Sequence, residues 1–182
     1  MIKTCLFALI TILATSGSAS AFDLTSPDLG NGQELKADQV GKGANCSGGN
    51  LSPALVWANP PAGTKSFVVT LFDPDANNGK GFWHWGAFDI PAEVTSLEAG
   101  AGSADGKLMP ANAVQGKSGS GVQGFIGACP PAGPAHHYIF TVKALKIAKL
   151  GLNSTATAEE ISAKADQEKL GEATLNGLHA KP

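Results

Sequence analysis

The sequence contains no arginine; all thirteen of its basic residues are lysines. That absence excludes the bidentate guanidinium contacts on which base reading and multi-phosphate clamps depend, so nucleic-acid binding is not expected. Long apolar runs are also missing. The one candidate, Cys5–Ala14, is too short to cross a bilayer as a helix. Cysteine is scarce at three, and aromatic residues make up only 7%.

The short apolar run follows a positive start at Lys3 and precedes Ala19-Ser20-Ala21, a small-x-small cleavage pattern. This arrangement predicts a secretory signal peptide over residues 1–21, cut after Ala21, and hence a periplasmic or secreted protein. Lipidation at Cys5 fits less well, because Cys5 precedes the apolar run. The remaining domain, residues 22–182, carries twelve lysines against fifteen carboxylates, a net charge near −3. It is long enough to bury a core without staples. Cleavage leaves Cys46 and Cys129, an even pair in an oxidising compartment. A zinc or nucleophilic cysteine needs partners at suitable spacing, whereas a structural disulfide needs only that the two meet. A Cys46–Cys129 disulfide is the expectation, with no metal and no cofactor.

With 23 Gly and 11 Pro, the domain reads as turn-rich and dominated by β-structure. Lys65–Phe72 alternates, with Phe67, Val69 and Leu71 on one face and Ser66 and Thr70 on the other. Phe82–Ile90 and His137–Leu145 are two further strands, the latter placing Tyr138, Phe140 and Val142 on one side. Shorter strands are expected at Leu55–Trp57 and Ala173–Leu178. The weakly periodic, Gly/Ala/Ser-rich stretch Leu97–Gly127 reads as a long ordered loop. Thr157-Ala-Glu-Glu160 is a capping box ahead of a helix over Ile161–Leu170.

Three of the four histidines fall in two short segments. Asp73–Pro91 (DPDANNGKGFWHWGAFDIP) holds His84 between two tryptophans. Gly124–Tyr138 (GFIGACPPAGPAHHY) ends in His136 and His137. A lone histidine among aromatics is usually a satisfied core residue. Three, each beside Gly/Pro turns, point to a ligand site at strand ends. Strict alternation puts His84 on one side with Phe82 and Gly86, and Trp83 and Trp85 on the other, with the core the expected place for at least one tryptophan.

These segments carry a resemblance. Asp73-Pro-Asp-Ala, His84-Trp85, Gly-x-x-Gly-x-Cys-Pro-Pro and His136-His137-Tyr138 follow in the order seen in the phosphatidylethanolamine-binding protein (PEBP) family. The segment Cys46-Ser-Gly-Gly-Asn-Leu-Ser-Pro-Ala-Leu-Val-Trp57 is similar to the bacterial Raf-kinase-inhibitor-like (YbhB/YbcL type) branch. The resemblance implies an all-β dominated fold, a large antiparallel sheet packed on a smaller one with peripheral helices. It also implies an anion pocket built from Asp73, His84, Pro130, Pro131, His136 and Tyr138. His137 stands where relatives often have arginine, Asn77 where many have proline, and Ser118-Gly119-Ser120-Gly121 where a side-chain amide is usual.

The expected ligand is a small anion or a phospholipid head group, held by imidazole N–H groups, the Tyr138 hydroxyl and backbone amides of the Gly127–Cys129 turn. Asp73 either orients a histidine or meets the ammonium of an ethanolamine head group. The protein is expected to be a binding protein rather than an enzyme. A hydrolase using Asp73, His84 and His136 is the alternative from catalysis, but no G-x-S-x-G or H-E-x-x-H motif supports it. A module inhibiting a kinase or protease is the alternative from protein interaction. A protein partner and a homodimer both stay open.

Overall fold

Alternation of apolar residues builds the centre of the molecule, as the sequence predicts. The computed structural model describes residues 20–43 and 45–181; the expected leader, its last two residues apart, lies outside the described residues. In chain order the strands are β1 (Asp23–Thr25), β2 (Gln33–Glu34), β3 (Lys42–Gly43), β4 (Cys46–Ser47), β5 (Leu55–Ala58) and β6 (Ser66–Asp73). They continue with β7 (Phe82–Pro91), β8 (Ser96–Leu97), β9 (Val114–Gln115), β10 (His136–Leu145) and β11 (Lys169–His179). A turn with left-handed central residues, α1 (Ala76–Gly79), and one helix, α2 (Ala158–Glu168), complete the elements used below.

The large sheet has the order β2-β11-β10-β6-β7-β9, and the smaller one β1-β5-β8. All pairings in the large sheet are antiparallel except β11 with β2, so the sheet is mixed at that edge. Phe67, Val69 and Leu71 of β6 join Tyr138, Phe140 and Val142 of β10 and Leu24, Leu55 and Trp57 of the smaller sheet in the main core. The opposite face is covered in part by α2, through Val68, Phe88, Leu145, Ile161 and Ala165. The capping box is formed: Thr157 accepts from the Glu160 amide, and Glu160 accepts from the Thr157 amide.

Two boundaries differ from the sequence reading. The helix starts at Ala158 and stops at Glu168 rather than running to Leu170, and the last strand begins at Lys169 rather than Ala173. Nothing in Lys169-Leu-Gly-Glu172 is a poor helix former except Gly171. The strand wins because β11 pairs with β10 along nearly its whole length, and a ladder of backbone hydrogen bonds outweighs a weak local propensity. The expected loop Leu97–Gly127 does consist mainly of turns, interrupted by β9.

The site-bearing strand β7 breaks its own alternation. Leu71 lies opposite Trp85 and Phe72 opposite Trp83, so His84 is an extra residue with no partner on β6. Such a bulge turns two successive side chains to the same side. Trp85 enters the main core, its indole N–H donating to Gln115 Oε1 at 2.8 Å. His84 packs edge-on against Phe82 and Tyr138, at centroid distances of 4.8 and 5.3 Å. Trp83 lies on Phe72 at 4.5 Å, on the side of the sheet covered by α2. Gly86 faces that side too, where a Cβ would meet Ala158 at 2.9 Å. The expected grouping of His84 with Gly86, and of Trp83 with Trp85, is therefore corrected.

Candidate functional site

Three neighbouring strands bring their chemistry to one end of the large sheet. β6 ends at Asp73, β7 starts at Phe82, and β10 starts at His136. Because these strands are antiparallel and adjacent, residues up to 65 positions apart meet there. The fourth wall is the loop Ile126–Pro131. Its backbone is laced to the segment 37–50 by Gly41 N–H to Ala128 O, Ala128 N–H to Gln39 O and Gly127 N–H to Asn50 Oδ1, all 2.8–3.1 Å. Gly127 is required at this crossing, since a Cβ would lie 2.5 Å from the Gln39 carbonyl oxygen. The Cys46–Cys129 disulfide pins the same two segments, with Cα atoms 5.9 Å apart.

Between these walls lies a cavity of about 590 Å³. All six residues expected from the sequence line it: Asp73, His84, Pro130, Pro131, His136 and Tyr138. Phe82 and Ile126 supply apolar wall, while Asp75, Asn77, Asn78 and Ser120 add polar rim. His137 does not line the cavity. It is exposed, and its backbone and ring N–H groups both donate to Asp75 Oδ2, at 2.7 and 2.8 Å. Those bonds, the backbone one first, hold the Asp75 carboxyl below its usual range. Asp75 is the site residue that the sequence reading passed over, although it is the second acid of the Asp-Pro-Asp motif.

Asp73 is nearly completely buried, and both of its oxygens are spoken for. Oδ1 accepts from the amides of Asp75 and Ala76, at 2.9 and 3.1 Å, as an Asx turn does. Oδ2 accepts from His136 Nδ1 at 2.8 Å. Of the two roles expected for Asp73, orienting a histidine is the one the geometry supports. The rim that follows contains Asn77 and Asn78, both left-handed at φ 53° and 57°. Proline, locked near φ −65°, has no access to that conformation, so the rim as built here excludes proline at position 77. Asn77 Nδ2 closes it by donating to the Gly81 carbonyl at 2.9 Å.

His84 is only 6% exposed. Its Nδ1 lies 2.9 Å from the Ile126 carbonyl oxygen, and a carbonyl only accepts, so Nδ1 carries the hydrogen. Burial pushes the His84 pKa down; the Ile126 bond and the charge of Asp73 push it up less, and His136 adds to the lowering. The ring is therefore held towards the neutral form. Since the unfolded ring titrates near 6.5, His84 costs folding stability as pH falls below that value.

Tyr138 is the sole described residue lining the cavity whose buried hydroxyl has no hydrogen-bond partner. Burial, then the fields of Asp73, Asp75 and Glu34, hold its pKa well above the ordinary tyrosine value, so it stays an O–H donor. An orphaned buried hydroxyl costs about 1–3 kcal/mol. Tyr138→Phe is accordingly expected to leave the ligand-free protein as stable or more stable by urea denaturation, while weakening ligand binding. Loss of stability above about 1 kcal/mol would mean that the hydroxyl has a partner in solution.

Comparison with known proteins agrees with this architecture. The family profile described as phosphatidylethanolamine-binding protein matches residues 25–180. The chain is 42% identical over 171 residues to the UPF0098 protein YbcL of Escherichia coli (strain K12), covering 93% of each chain. It is 39% identical to the UPF0098 protein YbhB of the same organism, covering 85% of this chain and 98% of that one. It is 35% identical to the putative lipoprotein LppC of Mycobacterium tuberculosis, over 92% of this chain and 77% of that one. The crystal structure of E. coli YbcL superposes with a TM-score of 0.87 at 41% identity, over 90% of this chain and all of that one.

Proposed function

The chain belongs to the phosphatidylethanolamine-binding protein family, and on that premise we propose that it is an extracytoplasmic binding protein whose pocket takes a small oxyanion of the phosphate type. One observation carries the reading: Tyr138, which lines the cavity together with His84 and His136, has a buried hydroxyl without a hydrogen-bond partner. Buried polar groups are ordinarily satisfied, and a ligand oxygen is the natural acceptor for this one. The apolar half of the cavity, Phe82, Ile126 and the two prolines, suits a ligand with a carbon-bearing substituent rather than bare phosphate. Asp73, with both oxygens engaged, is poorly disposed to meet an ammonium group directly.

The binding reading is preferred to hydrolysis for a chemical reason. His136 is oriented by a carboxylate as a general base would be, but the hydroxyl on the rim, Ser120, hydrogen-bonds Ser118 Oγ at 3.1 Å instead of an imidazole. Export is supported by the leader pattern in the sequence, by the disulfide and by the similarity to a putative lipoprotein. Among the described residues no helix is long and apolar enough to cross a membrane. Amino-terminal sequencing of exported material tests the cut after Ala21, and a start at Met1 would overturn it.

Calorimetric titration of phosphorylethanolamine tests the pocket. Binding is expected to weaken as pH rises through the His84 titration, which burial places below the usual histidine value, as protonated imidazole is lost. His84→Ala and His136→Ala should each remove roughly 1.5–3 kcal/mol, the range for hydrogen bonds to charged groups. Equal affinity in all three proteins across that pH range would take the histidines out of the site. Native mass spectrometry of protein isolated from its own compartment would identify a retained ligand.

A further inference from the structure

Resting on the oxyanion reading above, we propose that the pocket selects an oxyanion bearing its own acidic hydrogen, a phosphomonoester in preference to a phosphodiester. The reason is the tautomer that the fold imposes. His84 Nδ1–H is consumed by the Ile126 carbonyl, and His136 Nδ1–H by Asp73 Oδ2. In each ring the nitrogen left for the cavity is Nε2, and in a neutral ring with hydrogen on Nδ1 that atom is a bare lone pair. A lone pair repels an oxygen without hydrogen. It accepts from a P–O–H group.

The groups facing His84 favour its neutral form. From β6 comes the Asp73 carboxylate, already paired with His136; from β10 come His136 itself and the un-ionised Tyr138 hydroxyl; from the loop comes the Ile126 carbonyl. Enclosure outweighs the carboxylate, so the ring is uncharged near neutral pH. A phosphomonoester has a second ionisation near pH 6. It can enter with one hydrogen that stays on phosphorus-bound oxygen and is shared with Nε2, while Tyr138 O–H donates to another oxygen. A phosphodiester has no such hydrogen and needs His84 to be protonated first. The bond to Tyr138 is open to both classes; the bond to His84 separates them.

The test compares phosphorylethanolamine with its own monomethyl phosphodiester, by calorimetry on the wild-type, disulfide-bonded protein at about pH 7.5 and about pH 5.5, either side of the histidine range. With affinity referred to the monoester's singly protonated form, the minor form above its second ionisation near pH 6, the monoester is expected to bind about tenfold or more tightly at the higher pH, the size of one lost hydrogen bond to a charged group. The gap should narrow towards the lower pH, as protonation of His84 lets it donate to either ligand. A long-range proton–nitrogen correlation spectrum of the ligand-free protein should show His84 with hydrogen on Nδ1. Equal affinities at both pH values, tighter binding of the diester, or hydrogen on Nε2 would each overturn the selection while leaving anion binding intact. Absence of binding by both compounds at both pH values would instead overturn the oxyanion reading itself.

Discussion

Removing the Cys46–Cys129 disulfide is expected to lower the unfolding free energy by about 4 kcal/mol. The two cysteines are 83 residues apart, so the bond closes a loop of nearly half the chain, and in the chain-entropy account a loop of that size restricts the unfolded ensemble strongly. The folded state should change little. The segment 37–50 and the loop Ile126–Cys129 stay laced by the Gln39–Ala128, Gly41–Ala128 and Asn50–Gly127 hydrogen bonds, none of which needs the sulfur atoms. Urea denaturation of the oxidised protein against the Cys46→Ala/Cys129→Ala double variant measures the difference. The unfolding slope should rise in the variant, because its unfolded chain exposes more surface. A loss below about 1 kcal/mol would mean that the unfolded chain already holds these segments together, and that the crosslink's role is confined to the native pocket wall.

Much of this arrangement is legible in the sequence because its signals are local and mutually consistent. Phe67, Val69 and Leu71, like Tyr138, Phe140 and Val142, alternate with polar or smaller residues, and both sets enter the core. Thr157 and Glu160 announce the helix start by chemistry that acts over three residues. The disulfide is expected from the even cysteine count that remains once the leader pattern is taken to be cleaved. What escapes is set by long-range pairing. The bulge at His84 arises because β6 and β7 hold different registers on either side of it, and no pattern within Phe82–Pro91 encodes that. The end of α2 is decided by β10, a strand more than twenty residues earlier. Asp75 looks like a turn acid until His137, 62 positions on, is seen to bind it.

The tautomers are a subtler case. Three histidines near acids suggest donors to an anion, and the resemblance encourages that reading. Only the structure assigns the Nδ1 of His84 and of His136 to a protein acceptor, which leaves the opposite nitrogen of those two rings for the cavity. The pocket's preference is thus governed by groups behind the imidazoles: a loop carbonyl for one, a carboxylate for the other.

Replacement of Asp73 separates the charge of that carboxylate from its geometry. Asp73→Ala leaves three donors without their acceptor, the amides of Asp75 and Ala76 and the ring of His136. With Asp73 and His136 both largely buried, the loss of stability should be about 3 kcal/mol, at the top of the range for unsatisfied buried groups. Asp73→Asn keeps an oxygen for the two amides and should cost nearer 1 kcal/mol. It also sets an amide N–H₂ against His136 Nδ1, where the carboxylate had accepted. Two donors cannot share that contact, so the ring should move its hydrogen to Nε2 and present a donor to the cavity at neutral pH. The variant should then bind phosphodiesters better relative to monoesters than the wild type does. Urea denaturation, the nitrogen shifts of His136 and the paired titrations read the three consequences separately. If the Asn and Ala variants were equally unstable and left the His136 tautomer unchanged, Asp73 would act through its negative charge alone, and the control of the histidine by hydrogen-bond direction would be wrong.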